Sequence, residues 1–245
     1  MRISCEYKTD KFPLAYHMFG VSLIKEALMK VDKEYYNNLY KYNNIKSNKS
    51  TKDFCFSVYM QGYEKKEDIF LIKDKVIFNF SSPNYEFMVN LYNGLLEIEA
   101  FRYKEFNLNK VKINLVKEKS INNEVVTFRT LSPIHIKDKN NIALDINDDN
   151  FVKELNYIAN KTLENYRGFG LKKELKFIPS INMKKRVVKQ DIRTFKDKTN
   201  KPYYYVNSYV GEFQLEGNIN DLKEIYLLGL GFKLGQGFGM IEVVR

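Results

Sequence analysis

The segment from Leu228 to Val244, L-G-L-G-F-K-L-G-Q-G-F-G-M-I-E-V-V, carries five of the chain's twelve glycines. Glycine is required where backbone takes positive φ or where another group approaches closely. A helical pattern, Asn220 to Leu228, runs into the segment, and a β-like run, Met240 to Val244, leaves it. That context excludes a dinucleotide-binding fingerprint, which follows a strand and opens a helix, although G-L-G-F-K-L-G has G-x-G-x-x-x-G spacing. A P-loop is excluded because no G-K-[ST] occurs. Two readings stay open on composition: a structural glycine turn, or a loop whose N–H groups cradle an anion with Lys233 adding charge.

The rest of the chain leans toward an anionic partner. Its formal charge is +10 and its pI about 9.3. Such an excess points first to nucleic acid and second to a membrane surface, with a merely basic surface as the bland alternative. Eighteen tyrosines and eighteen phenylalanines supply rings for base stacking, although most phenylalanines must form core. Cys5 and Cys55 sit in apolar strand-like runs and read as buried free thiols. No pair or cluster has zinc-ligand spacing, so neither metal nor cofactor is expected. The first residues, M-R-I-S-C-E-Y-K, lack a signal peptide's apolar core, and no apolar run reaches membrane-spanning length. A cytoplasmic protein without membrane contact is expected.

The patterning gives the element order. Arg2–Lys8 alternates as a strand and Pro13 stops it. Phe19, Leu23, Ile24, Ala27, Leu28 and Val31 place a helix over Met18–Val31. Lys33–Tyr42 reads as more helix or an aromatic turn, and Asn43–Thr51 as a polar loop. Asp53–Met60 is a strand. Ile69–Ile72 and Val76–Phe80 read as a hairpin around Lys73-Asp74-Lys75. A helix starts at Pro83, then strands run over Leu96–Phe106 and Val111–Glu118. After a polar link, Lys119–Asn123, the order recurs: a strand over Val125–Ile136 interrupted at Ser132-Pro133, and a helix over Asp148–Arg167. Strands over Glu174–Ser180, Lys185–Thr194 and Tyr203–Glu216 follow, then a helix over Asn220–Leu228 and the last strand. Each half has the order of a ferredoxin-like unit. The expected fold is α+β, with two tandem ferredoxin-like (βαββαβ) domains over residues 1–120 and 121–245.

Three local motifs carry a resemblance. Gly229-Leu230-Gly231, five residues, then Gly237-Phe238-Gly239 fits G-h-G-x5-G-h-G. This resembles the C-terminal signature of the repeat-associated mysterious protein superfamily of CRISPR systems. Thr130-Leu131-Ser132-Pro133-Ile134 and Lys52-Asp53-Phe54-Cys55-Phe56-Ser57 narrow the resemblance to the CRISPR-associated endoribonuclease that processes precursor CRISPR RNA. The resemblance implies metal-independent cleavage within each repeat, leaving 2′,3′-cyclic phosphate and 5′-hydroxyl ends. It implies CRISPR repeat RNA as partner and allows interference-complex proteins and a homodimer as further partners. The alternative is a catalytically inactive repeat-binding protein or a backbone subunit of an interference complex. A third reading is a basic enzyme acting on some other anionic ligand.

Such cleavage needs a base for the 2′-hydroxyl, a cation for the phosphorane and an acid for the 5′-oxygen. The family often supplies a His, a Tyr and a Lys. Here the usual His position falls near Tyr40, the first-helix Tyr position near Lys25, and the lysine is kept as Lys52. His17, at the start of the first helix, is the first choice as base because imidazole titrates near neutrality. Lys52 is the choice for phosphate stabilisation, with Lys25 and Tyr40 in reserve. His135 is expected to be structural or at an RNA-facing edge. For RNA binding the candidates are Lys184, Lys185, Arg186, Lys189 and Arg193 on a hairpin, which Lys172, Lys173 and Lys176 could extend. Gly229, Gly231, Lys233, Gly235, Gly237 and Gly239 are expected to add a backbone platform. Tyr203, Tyr204 and Tyr205 are candidate base-stacking rings.

Overall fold

The computed structural model describes residues 1–42, 46–47 and 51–244. Most of the polar loop expected over Asn43–Thr51 lies outside the described residues. The chain opens with β1 (Arg2–Lys8), short β2 (Lys11–Pro13), α1 (His17–Val31) and α2 (Lys33–Tyr40). Two short strands, β3 (Lys41–Tyr42) and β4 (Lys46–Ser47), pair with each other. Then come β5 (Cys55–Lys66), β6 (Ile69–Ser81), α3 (Tyr85–Glu97), β7 (Ala100–Tyr103) and β8 (Phe106–Leu115). The second half runs β9 (Val125–Thr130), α4 (Asp149–Arg167), β10 (Lys176–Pro179), β11 (Lys184–Gln190) and α5 (Arg193–Thr199). It ends with β12 (Tyr204–Val210), β13 (Glu212–Glu216), α6 (Ile219–Leu228), a 3-10 turn at Leu234–Gln236 and β14 (Ile241–Val243).

Both halves are ferredoxin-like. In the first, β5, β6, β1 and β8 lie side by side, all antiparallel, with β7 beyond β8 and β2 against the start of β6. In the second, the order is β10, β13, β9, β14. Each is the split βαββαβ arrangement, so the tandem architecture is as the element order predicts. The β11–β12 hairpin is inserted between β10 and β13 as a separate two-stranded sheet. Helices α3 and α4 form where apolar residues recur every three or four positions and a side chain caps the first turn. Asn84 Oδ1 accepts from the Phe87 N–H at 3.1 Å on α3, and Asp148 Oδ1 from the Asn150 N–H at 2.8 Å on α4.

Several element boundaries differ from the pattern. Lys73-Asp74-Lys75 is no turn, because β6 continues through it. The β5–β6 reversal instead uses Glu67, at φ 43°, beside Asp68. A polar triplet is compatible with a strand where both faces are exposed, and here it lies opposite a bulge at Gly62, φ 59°. The strand expected over Leu96–Phe106 turns at Lys104, φ 55°, after α3 has run on to Glu97. The run Tyr203–Glu216 is two strands separated by Gly211, φ 142°. The strand expected to reach Thr194 gives way to α5, whose polar sequence R-T-F-K-D-K-T shows little apolar periodicity.

The apolar side chains gather into two main clusters, one from Ile3 to Leu108 and one from Ile121 to Val243. Between them runs a seam with its own packing. Cys55 meets Leu234 and Met240, while Phe238 meets Val188 and Val206. Arg2 is the polar staple of this seam, with only 2% of its surface exposed. It donates from Nη1 to Tyr226 Oη and Glu242 Oε2, and from Nη2 to the Ile241 carbonyl, each at 2.7 Å. Its guanidinium also lies 4.3 Å from the Tyr226 ring centre. Cutting one partner from a buried pair strands the other. Arg2→Met is therefore expected to cost about 3 kcal/mol of stability, read by urea unfolding, with Arg2→Lys recovering only part of it.

Candidate functional site

The glycine run is laced to the segment that leaves β9. The Met240 carbonyl accepts from the N–H groups of Leu131 and Ser132, and Ser132 Oγ accepts from the Met240 N–H at 2.9 Å. The Gly239 N–H donates to the Pro133 carbonyl, and the Phe232 N–H to the His135 carbonyl, both at 2.9 Å. Gly239 has φ 71°, and a Cβ there would collide with the Leu230 carbonyl oxygen. On its other side the run meets the first half of the chain. A Cβ at Gly235 would stand 3.1 Å from Lys52 Cγ, and one at Gly237 2.9 Å from the Phe56 ring. The three motifs thus form one structural unit at the seam.

This unit borders a cleft of about 470 Å³ between the halves. From the first half come Met18, Val21 and Lys25 of α1, Tyr40 at the end of α2, and Thr51 and Lys52 just before β5. From the second come Lys137, Ile158 and the run from Gly231 to Gln236. Four lysines line it and, among the described residues, no carboxylate does. The Lys25 ammonium lies 4.8 Å from the Tyr40 ring centre and that of Lys52 5.6 Å away. Lys52 Nζ also donates to the Leu39 carbonyl at 2.6 Å, at the helix end whose dipole favours a cation. Burial lowers the pKa of Lys25. It also lowers that of Lys52, where Asp53 opposes the shift and Lys25 adds to it. Lys233 falls to about 8, through burial first and the neighbouring Lys137 second. The Tyr40 hydroxyl is buried without a hydrogen-bond partner among the described residues, and burial raises its pKa. Apolar walls, a row of ammonium groups and an unpaired hydroxyl are what a desolvated phosphodiester requires.

Lys25, Tyr40, Lys52 and Lys233 are therefore brought together. His17 is not among them, and its surroundings oppose the role of base expected for it. The residue is 2% exposed, its ring stacked on that of Tyr16 at 4.5 Å and tilted against that of Phe238 at 4.9 Å. Neither ring nitrogen has a hydrogen-bond partner among the described residues. Burial, helped by Lys233, lowers its pKa to about 3. His135 is likewise interior, with Nδ1 2.8 Å from the Asn207 carbonyl and a pKa lowered to about 4, mainly by burial.

The glycine platform divides. Gly231 and Gly235 line the cleft, whereas Gly229, Gly237 and Gly239 are packed against protein and present nothing to a ligand there. On β11, Lys184, Lys185 and Arg186 are exposed, as is Arg193 on α5. Lys189 is not a free contact: it pairs with Asp68 at 2.6 Å and lies 3.6 Å from the Tyr203 ring centre. Lys173 and Lys176 pair with Glu216, so they do not extend the basic strand. Lys172 lies 6.0 Å from the Phe169 ring centre. Of the three tyrosines, Tyr205 alone is exposed, at 59%. Tyr203 is tied to Asp68 and Lys189, and Tyr204 packs with the Phe238 cluster. Sequence reasoning missed Lys137 as a cleft residue and Arg2 as the staple. Lys137 follows the I-H-I run that leads out of the L-S-P-I motif, which was its one available signal.

Two ferredoxin-like halves closed on a lysine-lined seam define a tandem ferredoxin-like protein. Comparisons with known proteins give the particular family. The model described as CRISPR associated protein Cas6, C-terminal, matches residues 115–243, just over half of the chain. The chain belongs to the Cas6 family. It is 29% identical to the protein named CRISPR-associated endoribonuclease Cas6 1 of Methanocaldococcus jannaschii, over all of this chain and 93% of that one. A solved structure from a Cas6-related gene of Pyrococcus furiosus superposes with a TM-score of 0.81 at 20% identity, covering 100% of this chain and 98% of that one. A structure described as an RAMP protein binding different RNA substrates superposes equally well, at 0.81 and 19% identity with full coverage of both chains. At these identities the structural likenesses speak for the fold alone.

The buried neutral His17 has a pH consequence. Its folded pKa is depressed to about 3, against an ordinary value of 6.5. The unfolded chain therefore binds the proton more readily, and stability contributed by His17 is full above pH 6.5 and lost as pH falls toward 3. His17→Phe keeps the aromatic stack and removes the titration. The variant is expected to unfold in acid at lower pH than the wild type while keeping its neutral-pH RNA cleavage. Loss of cleavage with an intact fold would restore His17 as a catalytic group.

Proposed function

We propose that this chain is an endoribonuclease that cuts precursor CRISPR transcripts within their repeats, without a metal ion, by attack of a 2′-hydroxyl on the adjacent phosphodiester. The observation that carries this reading is the cleft: Lys25, Lys52, Lys137 and Lys233 surround one half-buried space with no acidic residue among its described lining. Membership of the Cas6 family and the name of the Methanocaldococcus jannaschii relative support the same activity.

The residues divide the work by environment. Lys52, held as an ammonium by the Leu39 carbonyl, stabilises the charge that develops on the phosphorane and can protonate the departing 5′-oxygen. Lys25, on the facing wall of α1, adds a second positive charge. The Tyr40 hydroxyl, without a hydrogen-bond partner among the described residues, donates to a non-bridging oxygen. Products with 2′,3′-cyclic phosphate and 5′-hydroxyl ends follow from this chemistry. The basic side chains of β11 hold flanking phosphates. The hairpin is joined to the glycine run where Val188 and Val206 meet Phe238, so a strand bound in the cleft continues along it. Contacts of that kind fix position and make affinity fall with salt.

Purified protein with repeat RNA in excess EDTA is expected to give cyclic-phosphate products, and a single 2′-deoxy substitution at the cleaved position is expected to abolish them. Lys52→Ala is expected to slow cleavage about 100-fold, the usual loss for one preorganised charge stabiliser. Removing Lys185 and Arg186 is expected instead to weaken binding and flatten its salt dependence by about one unit per contact. Salt-sensitive binding with no product would leave the chain a repeat-binding protein without catalysis.

A further inference from the structure

The cleft residues named so far supply positive charge but no base, and the two histidines are sealed inside the protein. One further side chain in the cleft is placed differently from the other lysines. Lys233 sits within the glycine run at φ 63° and ψ 29°, the left-handed region that glycine enters freely and other residues enter at a cost. The cost is about 1 kcal/mol or more for a residue with a Cβ. The conformation opens the 3-10 turn, with the Gln236 N–H donating to the Lys233 carbonyl at 2.8 Å. Five glycines surround a residue that glycine could itself have replaced, so the side chain rather than the backbone accounts for its presence.

Burial and the neighbouring Lys137 draw its amine toward the neutral form, against an acceptor and a ring that favour the cation. Nζ lies 3.3 Å from Gln236 Oε1 and 5.2 Å from the Tyr204 ring centre. The charged and titratable groups around it are Lys137 and His135 on the segment after β9 and Tyr204 on β12. Across the cleft lie Lys25 and His17 on α1, Tyr40 on α2 and Lys52 before β5. None of these is a carboxylate. Lys52 differs in its partners: burial lowers its pKa too, but a helix-end carbonyl accepts from its ammonium and Asp53 opposes the shift. Both lysines are lowered, but Lys52 keeps a carbonyl and Asp53 that favour its proton while Lys233 faces Lys137, and a pair in such unequal surroundings can divide into acid and base.

We infer that Lys233 is the general base of this cleft, taking the proton from the 2′-hydroxyl that attacks the scissile phosphodiester. The assignment rests on the functional reading above. The O2′–H bond breaks and its proton passes to Lys233 Nζ. The O2′–P bond forms as the P–O5′ bond breaks, and the 5′-oxygen takes a proton from the Lys52 ammonium. The products are a 2′,3′-cyclic phosphate and a 5′-hydroxyl, and the two lysines recover their starting states by exchange with water. A lysine whose pKa has come down to about 8 is a competent base near neutrality.

The test is single-turnover cleavage of repeat RNA between pH 6 and 10 by wild type, Lys233→Arg and Lys233→Ala. The wild-type rate is expected to rise with pH, level off near pH 8 as Lys233 loses its proton, and fall again toward pH 10 as Lys52 loses its own. Lys233→Arg, which keeps the positive charge but cannot lose its proton, is expected to bind the RNA as the wild type does and to cut it about 100-fold more slowly, without levelling near that pH. Lys233→Ala is expected to recover rate on addition of methylamine, which refilling of a merely structural gap would not give. A Lys233→Arg variant with the wild-type rate and pH profile would overturn the assignment while the endoribonuclease reading stands. A wild type that binds repeat RNA without cutting it would overturn both.

Discussion

A stretch of main chain running between two sheets with little room for side chains is the constraint on which this structure depends. The run from Gly229 to Gly239 hydrogen-bonds to Pro133 and His135 on one side and lies on Phe56 and Lys52 on the other. A larger residue at Gly237 or Gly239 would have to displace a buried ring or a backbone carbonyl. Because packed interiors do not stretch to admit such changes, the two halves meet at one spacing. That spacing sets the width of the cleft. Arg2 secures the other end of the same seam through Tyr226, Glu242 and the Ile241 carbonyl.

The seam also sets the electrostatics. Burial lowers the proton affinities of Lys25, Lys52 and Lys233, with Lys25 adding to the shift of Lys52 and Lys137 to that of Lys233. The site is poorly satisfied on its own, with the Tyr40 hydroxyl unpaired among the described residues and Lys233 in the left-handed region. A bound phosphodiester would supply the missing negative charge and accept the unused hydrogen bonds. Local rules are commonly broken at functional sites and compensated elsewhere in the fold. Here the compensation comes from two well-packed cores and a stapled interface.

Much of this was legible in the chain. The repeated element order gave two ferredoxin-like units, because helix and strand periods are set by burial on one face and both units bury a face. The G-h-G-x5-G-h-G, L-S-P-I and K-D-F-C-F-S motifs could be found singly, and the structure shows why all three occur: they touch. Lys25, Tyr40 and Lys52, far apart along the sequence, share one cleft. The burial of His17 was not legible, because a histidine at a helix start looks alike whether the helix end faces water or a second domain. Tyr16 beside it and Phe238 from the second half enclose it. Lys73-Asp74-Lys75 imitates a turn because the exposed end of a long hairpin needs no apolar alternation. Lys189 looked like one more basic side chain, since its partner Asp68 is 121 residues away in sequence. Nothing local marked Lys233 apart from being a lysine among glycines.

The central claim is that the lysines of the seam, more than the exposed basic strand, hold the scissile region of the RNA. Amine-specific acetylation, read by mass spectrometry on the free protein and on its complex with a non-cleavable 2′-deoxy repeat RNA, tests this most directly. Lys25, Lys52, Lys137 and Lys233 are predicted to become protected together, in one concentration-dependent step, and to lose that protection in high salt. Protection confined to Lys184 and Lys185, with the four cleft lysines as reactive in the complex as in the free protein, would contradict it.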